Sequence, residues 1–502
     1  MSDVRCKISL ILLLLFVMMT TAAEDGIRRG CRRGVQLIAT RSHRSLPTPF
    51  RVGGDFYHGD RRQLVVLAAF RDQAFEGDET TALSKWDKIF NADHYQEESF
   101  VGSVHDYFYA QSYGKLNLMF DLIHVNLPDN LSKYHSTPGE DGDDENSQYM
   151  VDDIVDTLQT LDIDWSLYDW NGDGYVNQLL IIYAGRGMNN GGGSNTIWPH
   201  QWWLSRHVDQ TTGDRYRSYR TVNTADKTFI IDCYCCAQEV VNQLSTKSSF
   251  GTICHEYTHC FGFPDLYGTT KTPHAWDLMD DGNYNGIGFC PPNYSAHERY
   301  LMGWLTPKEL TEATTIADMP ALCDEPQAYL IRNDGYENEF YMVENRQQKE
   351  WDAHIPGSGI VVFHIDYDEA IWCGYSSEPV NSNNLLRYHI IPANNEVLYF
   401  YSNGWAYPYE GNNSLTNTSA PEDIINHVNT DGTYHMNKPL TNMQVTDGLA
   451  SFDFMEKPSA IQTIKSVSIA ENRWYDLQGR QLSDRPQRKG LYILDSRKMV
   501  VK

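Results

Sequence analysis

A pair of histidines in the middle of the chain constrains the fold more than any other feature. His255 and His259 are four positions apart, and Glu256 follows the first of them. Residues four apart lie one turn from each other on one face of an α-helix, so the two imidazoles can bind one Zn²⁺ ion. Gly262 can adopt the left-handed conformation that reverses a chain after a helix. That turn would bring Asp265 back towards the metal as a third ligand.

The flanking residues favour a helix at this place. We predict Ser249 as its N-cap residue. Apolar residues recur at helical spacing and predict a buried face, made of Phe250, Ile253, Cys254, Tyr257 and Phe261. Since the histidines occupy the stripe that faces the metal, we interpret Cys254 and Cys260 as small buried residues and not as zinc ligands.

The third zinc ligand has more than one candidate. We predict Asp265, because a carboxylate binds zinc well and the glycine turn precedes it. Glu298, on a predicted helix further along the chain, is the alternative, since some zinc enzymes take a distant glutamate. Asp277 and Asp280 are weaker candidates.

The chemistry of such a site follows from its open fourth position. Zinc lowers the pKa of a bound water from about 16 to about 7. Glu256 would accept the proton of the zinc-bound water as it attacks a scissile carbonyl, and would pass it to the leaving amine. We therefore predict Glu256 as the catalytic base.

Seven segments, in order over about residues 62 to 400, resemble the immune-inhibitor-A-type secreted zinc metallopeptidases. They are YDWNGDG at 168–174, IWPH at 197–200, CHEYTHCFGFPDLY at 254–267, WDLM at 276–279, SAHER at 295–299, GWLTP at 303–307 and PGSGIVVFH at 356–364. The resemblance implies a zinc endopeptidase with a metzincin-like catalytic domain. It also implies that Met279 forms a methionine turn beneath the zinc site, and that Asp265 stands where such enzymes place their last ligand.

Predicted strands and helices alternate before the histidine pair, whereas short β-like runs follow it. The strands lie near 63–70, 115–125 and 178–183, the helices at 103–112 and 147–161, and the later β-like runs at 329–332, 339–343, 360–365 and 397–401. We therefore predict an α/β (α+β) zincin-like catalytic domain over residues 62–310. A β-rich part of the same unit is predicted over residues 311–457.

An acidic loop precedes the strand at 178–183 and resembles the start of a calcium-binding loop. Asp169, Asn171 and Asp173 alternate along it, and Asn177 fits the ninth position. The twelfth position is Leu180 in place of the bidentate glutamate of an EF-hand. The loop predicts a Ca²⁺ site that another carboxylate completes, with an Asx-rich turn as the alternative.

Two further histidines stand in informative surroundings. His200, between Trp198 and Trp202, is predicted either to line a substrate cleft or to be structural. His364 lies in an apolar run, where we expect a hydrogen-bonded core residue.

The two ends of the chain differ from the middle. Residues 1–23 combine basic residues, an apolar run and a small-residue cleavage site, which predicts a signal peptide. Residues 24–61 are interpreted as a short pro-segment. Residues 458–502 resemble the C-terminal sorting segment of proteins exported by type IX secretion, and a terminal β-hairpin without that function is the alternative.

The composition limits the classes of partner. There are 41 basic and 66 acidic residues, a formal charge of −25, which argues against nucleic acid and anionic membranes as partners. Taken together, the sequence predicts a secreted or cell-surface zinc endopeptidase that acts on proteins or peptides and uses the export machinery. The alternative is a catalytically inactive surface binding or adhesion protein that retains the fold.

Overall fold

The computed structural model describes residues 57–135, 146–193, 195–206, 219–239, 248–373, 378–396, 403–455, 474–494 and 497–502. The chain divides into two compact units, Met1–Met455 and Glu456–Lys502. The predicted signal peptide, most of the predicted pro-segment and the β-like run at 397–401 lie outside the described residues.

A five-stranded sheet forms the centre of the first part of the chain. The described residues of this part form seven strands, five of them in the sheet: β1 (Gly59–Ala69), β2 (Leu116–Asn126), β3 (Leu179–Tyr183), β4 (His200–Trp203), β5 (Arg220–Asn223), β6 (Thr228–Ile231) and β7 (Cys233–Gln238). The sheet has the order β2-β1-β3-β7-β4, with β4 antiparallel to β7 at one edge and the other pairs parallel. Strand β3 is buried along its whole length, which explains its uninterrupted apolar run. Strands β5 and β6 pair separately as a hairpin.

Six α-helices accompany the sheets among the described residues. They are α1 (Glu79–Asn91), α2 (Val104–Gln111), α3 (Ser147–Leu158), α4 (Phe250–Cys260), α5 (Ala296–Leu301) and α6 (Glu369–Trp372). Helix α2 begins at the predicted Ser103, which forms a reciprocal capping box with Asp106. Helix α3 ends three residues before the predicted Leu161. That leucine lies beyond the helix and is exposed, so the predicted end of the helix at residue 161 is wrong.

The later part of the first unit is made mainly of β-strands. They are β8 (Lys308–Glu309), β9 (Thr314–Met319), β10 (Tyr329–Asn333), β11 (Tyr336–Arg346), β12 (Gly359–Asp366), β13 (Tyr388–Ile390), β14 (Leu440–Thr446) and β15 (Leu449–Phe454). One sheet has the order β13-β12-β11-β10-β8, and a smaller sheet has the order β14-β15-β9. The prediction of an α/β catalytic domain followed by a β-rich region is therefore confirmed.

Strand β11 shows why the β-rich region belongs to the same unit as the first sheet. Phe340 and Met342 on one face of this strand join the core that surrounds the first sheet and α4. Tyr341 and Val343 on the other face join a second core, which lies between the β-rich sheets. Because side chains alternate along a strand, β11 is shared between the two cores.

The second unit contains a sheet of its own, with the order β17-β16-β18-β19. Its strands are β16 (Trp474–Tyr475), β17 (Gln481–Leu482), β18 (Gly490–Leu494) and β19 (Arg497–Val501). Across the described residues of both units, every helix is too short or too polar to span a bilayer.

Candidate metal centre

Helix α4 carries the histidine pair, and it lies against β7 and β4. The predicted apolar face is buried as expected, and it includes Phe250, whose ring stacks on Trp351 at 5.7 Å between ring centroids. Ser249 occupies the predicted N-cap position, but its side chain forms no capping hydrogen bond. The Ser249 hydroxyl donates to the Glu239 carbonyl at 3.2 Å, and the Ser248 hydroxyl accepts from the Phe250 amide at 3.0 Å. Side-chain capping therefore comes from the residue before the predicted one, because Ser249 has helical backbone angles.

The chain reverses at Gly262 directly after α4. This glycine has a φ of 96°, which a residue with a Cβ rarely adopts. The reversal places Asp265 beside the two histidines. Asp265 Oδ1 lies 3.4 Å from His255 Nε2 and 3.1 Å from His259 Nε2, and the two Nε2 atoms are 3.2 Å apart.

These three atoms form a nearly equilateral triangle that matches the geometry of a zinc site. Ligands at about 2.0–2.1 Å from a tetrahedral Zn²⁺ are separated from each other by about 3.3 Å. The measured separations of 3.1–3.4 Å equal that value within 0.2 Å. Three ligand atoms leave one tetrahedral position open, as in catalytic zinc sites.

Backbone carbonyls select the tautomer of both histidines. His255 Nδ1 lies 2.8 Å from the Leu278 carbonyl oxygen, and His259 Nδ1 lies 2.7 Å from the Phe263 carbonyl oxygen. Since a carbonyl only accepts, each Nδ1 carries the proton and donates. The Nε2 lone pairs then point at each other and at the Asp265 carboxylate, an arrangement that a cation stabilises.

The pKa values of these side chains reflect the same arrangement. Burial, the largest single effect, would lower the pKa of His255, but the hydrogen bond to Asp265 and the other nearby groups together outweigh burial and raise the pKa to about 9. The nearby Glu256 carboxylate acts in the same direction. Conversely, burial alone would raise the pKa of Asp265, but the charges and hydrogen bonds of His259 and His255 together outweigh burial. The pKa of Asp265 is therefore well below the usual range. The cluster therefore attracts positive charge.

Glu256 lies next to the histidine pair and is fully buried. One of its carboxylate oxygens is within 4.8 Å of a ligand nitrogen of each histidine. This distance suits a base that acts on a molecule bound at the open position.

The segment around Met279 forms one wall of the centre. The Leu278 carbonyl accepts from His255, and the Met279 carbonyl accepts from the Leu266 amide at 2.9 Å. Met279 itself is fully buried. The Asp277 carboxylate closes the turn, since its Oδ1 accepts from the Met279 amide at 2.8 Å.

The other carboxylates considered as ligands are held by other groups. Glu298 Oε2 accepts from the Ser295 amide at 2.7 Å within the capping box of α5. Asp280 accepts from the backbone amides of His274 at 2.8 Å and Asp281 at 3.0 Å. Burial and the Asp281 charge raise the pKa of Asp280 to about 7.

Comparisons with known proteins agree with this geometry. Residues 57–303 match the model of the immune inhibitor A peptidase M6 catalytic domain. Over that range the chain resembles the immune inhibitor A peptidases. A relative named Immune inhibitor A, from Bacillus thuringiensis subsp. alesti, is 25% identical over 286 residues. The match covers 48% of this chain and 40% of the relative, so it spans less than half of the relative's length.

The predicted calcium loop, which lies within the matched residues 57–303, has a different set of contacts. Asp169 Oδ2 accepts from the Lys227 ammonium and from the Gly174 amide, both at 3.0 Å. Asp173 Oδ1 accepts from the Tyr175 amide at 2.8 Å. Asn171 and Asn177 also accept, through their Oδ1 atoms, from backbone amides of the loop. These are the contacts of an Asx-rich turn, with the Lys227 ammonium as the cation beside Asp169. Ca²⁺ binding there stays a prediction.

Two other groups of ligand-type side chains occur among the described residues. One contains Asp93, His105 and Asp106 near the surface, and the other contains His274, Asp280 and Asp281. In the second, His274 Nδ1 lies 3.2 Å from Asp281 Oδ2, a distance typical of an ion pair. The second group includes Asp280, one of the weaker candidates for the third zinc ligand, but neither group includes His255, His259 or Asp265.

The remaining predicted residues have structural contacts. His200 is buried, with Nδ1 2.7 Å from the Trp198 carbonyl oxygen and Nε2 3.0 Å from Tyr234 Oη. Burial lowers the pKa of His200 to about 4, so the ring is neutral. His364 is hydrogen-bonded to Glu339 at 2.7 Å in the core, as expected. Cys254 and Cys260 are free thiols.

Several residues that support the centre were not predicted. The Leu278 and Phe263 carbonyls contribute through their backbones, for which a sequence has no signal. Tyr388 donates to Asp277 Oδ2 at 2.9 Å from a strand 111 residues away. A lone tyrosine in a β-like run gives no indication of such a distant contact.

Proposed function

We propose that this protein is an exported zinc-dependent endopeptidase that cleaves protein or peptide substrates with Glu256 as its catalytic base. One observation carries the proposal. His255 Nε2, His259 Nε2 and Asp265 Oδ1 lie 3.1–3.4 Å from each other, with a Glu256 oxygen within 4.8 Å of the histidine nitrogens. The match to a peptidase catalytic domain over residues 57–303 supports the same reaction class.

The residues present suit zinc in type as well as in position. Two imidazoles and one carboxylate form a mixed nitrogen and oxygen set of the kind that binds catalytic zinc. The Leu278 and Phe263 carbonyls orient the histidines, as second-layer partners do in zinc sites. A zinc ion held there polarises the scissile carbonyl and makes a water acidic enough to attack near neutral pH.

Glu256 carries the proton transfers of the proposed reaction. Its carboxylate is fully buried, and one of its oxygens lies within 4.8 Å of a ligand nitrogen of each histidine. A base there accepts one proton from the attacking water and donates it to the amine that leaves. His255 and His259 keep their Nδ1 protons throughout, because both are held by backbone carbonyls.

The proposal is tested with Glu256→Gln, which keeps the size of the side chain and removes the base. We expect this variant to bind about one zinc per chain and to hydrolyse casein about 10²- to 10⁴-fold more slowly than the wild type. Glu312→Gln changes an exposed carboxylate in the same way and should have wild-type activity. Phenanthroline should stop hydrolysis by the wild type.

Three results would contradict different parts of this proposal. Wild-type activity in Glu256→Gln would exclude the proposed base. Zinc bound by the wild type without any hydrolysis would favour the alternative, an inactive binding protein. A wild type that hydrolyses casein without zinc would exclude the metal mechanism.

Calcium at the loop from Asp169 to Asn177 is a separate proposal, supported by the alternating oxygen-bearing side chains. Export through residues 1–23 and 458–502 is proposed from their composition and resemblance alone. Both are tested by experiments that do not depend on peptidase activity.

A further inference from the structure

The orientation of His255 depends on the position of one backbone carbonyl. His255 Nδ1 donates to Leu278 at 2.8 Å, which directs Nε2 towards Asp265. Leu278 lies in a turn that Asp277 closes. Asp277 Oδ1 accepts from the Met279 amide, and the Asp277 backbone carbonyl accepts from the Gly282 amide at 3.0 Å. Any movement of Asp277 therefore moves the group that orients the histidine.

A residue of the β-rich region forms a hydrogen bond with the Asp277 carboxylate. Tyr388, on β13, donates its hydroxyl to Asp277 Oδ2 at 2.9 Å. Both side chains are almost completely buried, with exposed fractions of 0% for Asp277 and 1% for Tyr388. A buried hydrogen bond to a carboxylate is about twice as strong as one between neutral groups. The bond therefore ties a strand of the β-rich region to the turn beside the metal centre.

Tyr388 is itself fixed in place. Its ring packs on Phe363 at 5.2 Å between centroids, and its Oη lies 2.8 Å from Ser295 Oγ. The Asn381 side chain binds both backbone groups of Tyr388, accepting from its amide at 3.0 Å and donating to its carbonyl at 2.8 Å. The hydroxyl consequently has little freedom to follow a moving Asp277.

The segment that precedes this strand also contacts the other side of the centre. Asn381 Nδ2 donates to the Leu266 carbonyl at 2.8 Å, one residue after Asp265. The Leu266 amide in turn donates to the Met279 carbonyl. Both backbone segments that flank the three ligand atoms are thus linked to the β13 region.

We propose that Tyr388 is a positioning residue for the metal ligand His255, acting through Asp277 and the Leu278 carbonyl. This inference rests on the proposed zinc site. It assigns to the β-rich region, which lies beyond the matched residues 57–303, a direct part in holding that site.

The test is the variant Tyr388→Phe, which keeps the ring and removes the hydroxyl. We expect zinc affinity to fall about 10-fold, since loss of outer-layer partners typically costs 10- to 100-fold. A competition titration against a chromogenic chelator measures it. The Co²⁺-substituted variant should also have a shifted visible absorption spectrum, because its ligand geometry changes, and a loss of overall stability alone would not cause that shift.

Tyr341→Phe is the matched control. Tyr341 is also buried, in the second core, and its hydroxyl donates to the Ile424 carbonyl at 3.0 Å. Its loss should lower the melting temperature without changing zinc affinity or the Co²⁺ spectrum. Asp277→Asn weakens the same link from the other side and should reproduce the effect of Tyr388→Phe.

The outcomes separate this inference from the proposed function. Zinc binding by the wild type, with unchanged affinity and Co²⁺ spectra in both Tyr388→Phe and Asp277→Asn, overturns the positioning role alone. Equal losses in Tyr341→Phe and Tyr388→Phe also overturn it. A wild type that binds no zinc overturns the proposed function and the inference together.

Discussion

Asp265 and Glu298 are both carboxylates in the interior, and they differ in what surrounds them. Asp265 is within 3.4 Å of two imidazole nitrogens, whereas Glu298 accepts from Ser295 at the start of a short helix. A carboxylate that satisfies a helix cap stabilises that helix, and leaving it without a partner carries a cost. The two residues therefore predict different responses to removal of the charge.

We expect Asp265→Asn to lower zinc occupancy sharply, because an amide oxygen is a much poorer zinc ligand than a carboxylate. Glu298→Gln, the matched change at the alternative ligand, should leave occupancy near one per chain. Metal analysis of the purified variants measures both. The reverse order would assign the third ligand to Glu298.

At the scale of elements, the loop from Asp169 to Asn177 precedes β3 in the chain and contacts the β5–β6 hairpin through an ion pair. Lys227, in that hairpin, extends its ammonium to Asp169, whose side chain is only 2% exposed. The lysine is 48% exposed, so solvent weakens the ion pair. A nearly buried carboxylate still needs a cation close to it.

We expect Lys227→Gln to lower the free energy of unfolding by about 1–2 kcal/mol, a value reduced for the exposure of the lysine. Ca²⁺ should raise the melting temperature of this variant more than that of the wild type, since the ammonium and Ca²⁺ compete for the same carboxylate. Thermal unfolding with and without a calcium chelator tests both statements.

Lys308→Gln is the control for this experiment, because Lys308 is exposed. It should unfold like the wild type. If Ca²⁺ changes the melting temperature of neither protein and elemental analysis finds none, the calcium proposal fails and the loop is only a turn. If Lys227→Gln is as stable as the wild type, the ion pair does not stabilise the fold.

At the scale of the whole molecule, the chain consists of two compact units. The first, Met1–Met455, contains the proposed zinc site and the strands of the β-rich region. The second, Glu456–Lys502, has a four-stranded sheet of its own. Removing the second unit should therefore leave the metal centre intact.

A chain that ends at Met455 should hydrolyse casein in a lysate at the wild-type rate. Its amount in the medium should fall if residues 458–502, which the shortened chain lacks, are the predicted sorting segment. Immunoblots of cells and medium measure the distribution. A reporter protein that carries the signal peptide and residues 456–502 serves as the converse control and should be exported.

Two results would contradict this prediction in different ways. Export of the shortened chain at the wild-type level would show that the segment is not a sorting signal. An insoluble shortened chain would mean that the strands of the second unit complete a core of the first.

The sequence by itself determined the parts of this protein that depend on neighbouring residues. The spacing of His255 and His259 places both rings on one helix face, because a helix has 3.6 residues per turn. The turn at Gly262 brings Asp265 back over only a few residues. Strands with continuous or alternating apolar residues were predicted for the same reason, since their burial follows the period of the backbone.

Only the tertiary structure decided which distant groups meet. Tyr388 and Asp277, and likewise Lys227 and Asp169, are far apart in sequence, and no local period relates them. The side-chain cap of α4 comes from Ser248, whereas the Ser249 hydroxyl donates to the Glu239 carbonyl. Such contacts depend on how sheets and helices pack, so residue type alone indicates that a partner is needed but not which residue supplies it.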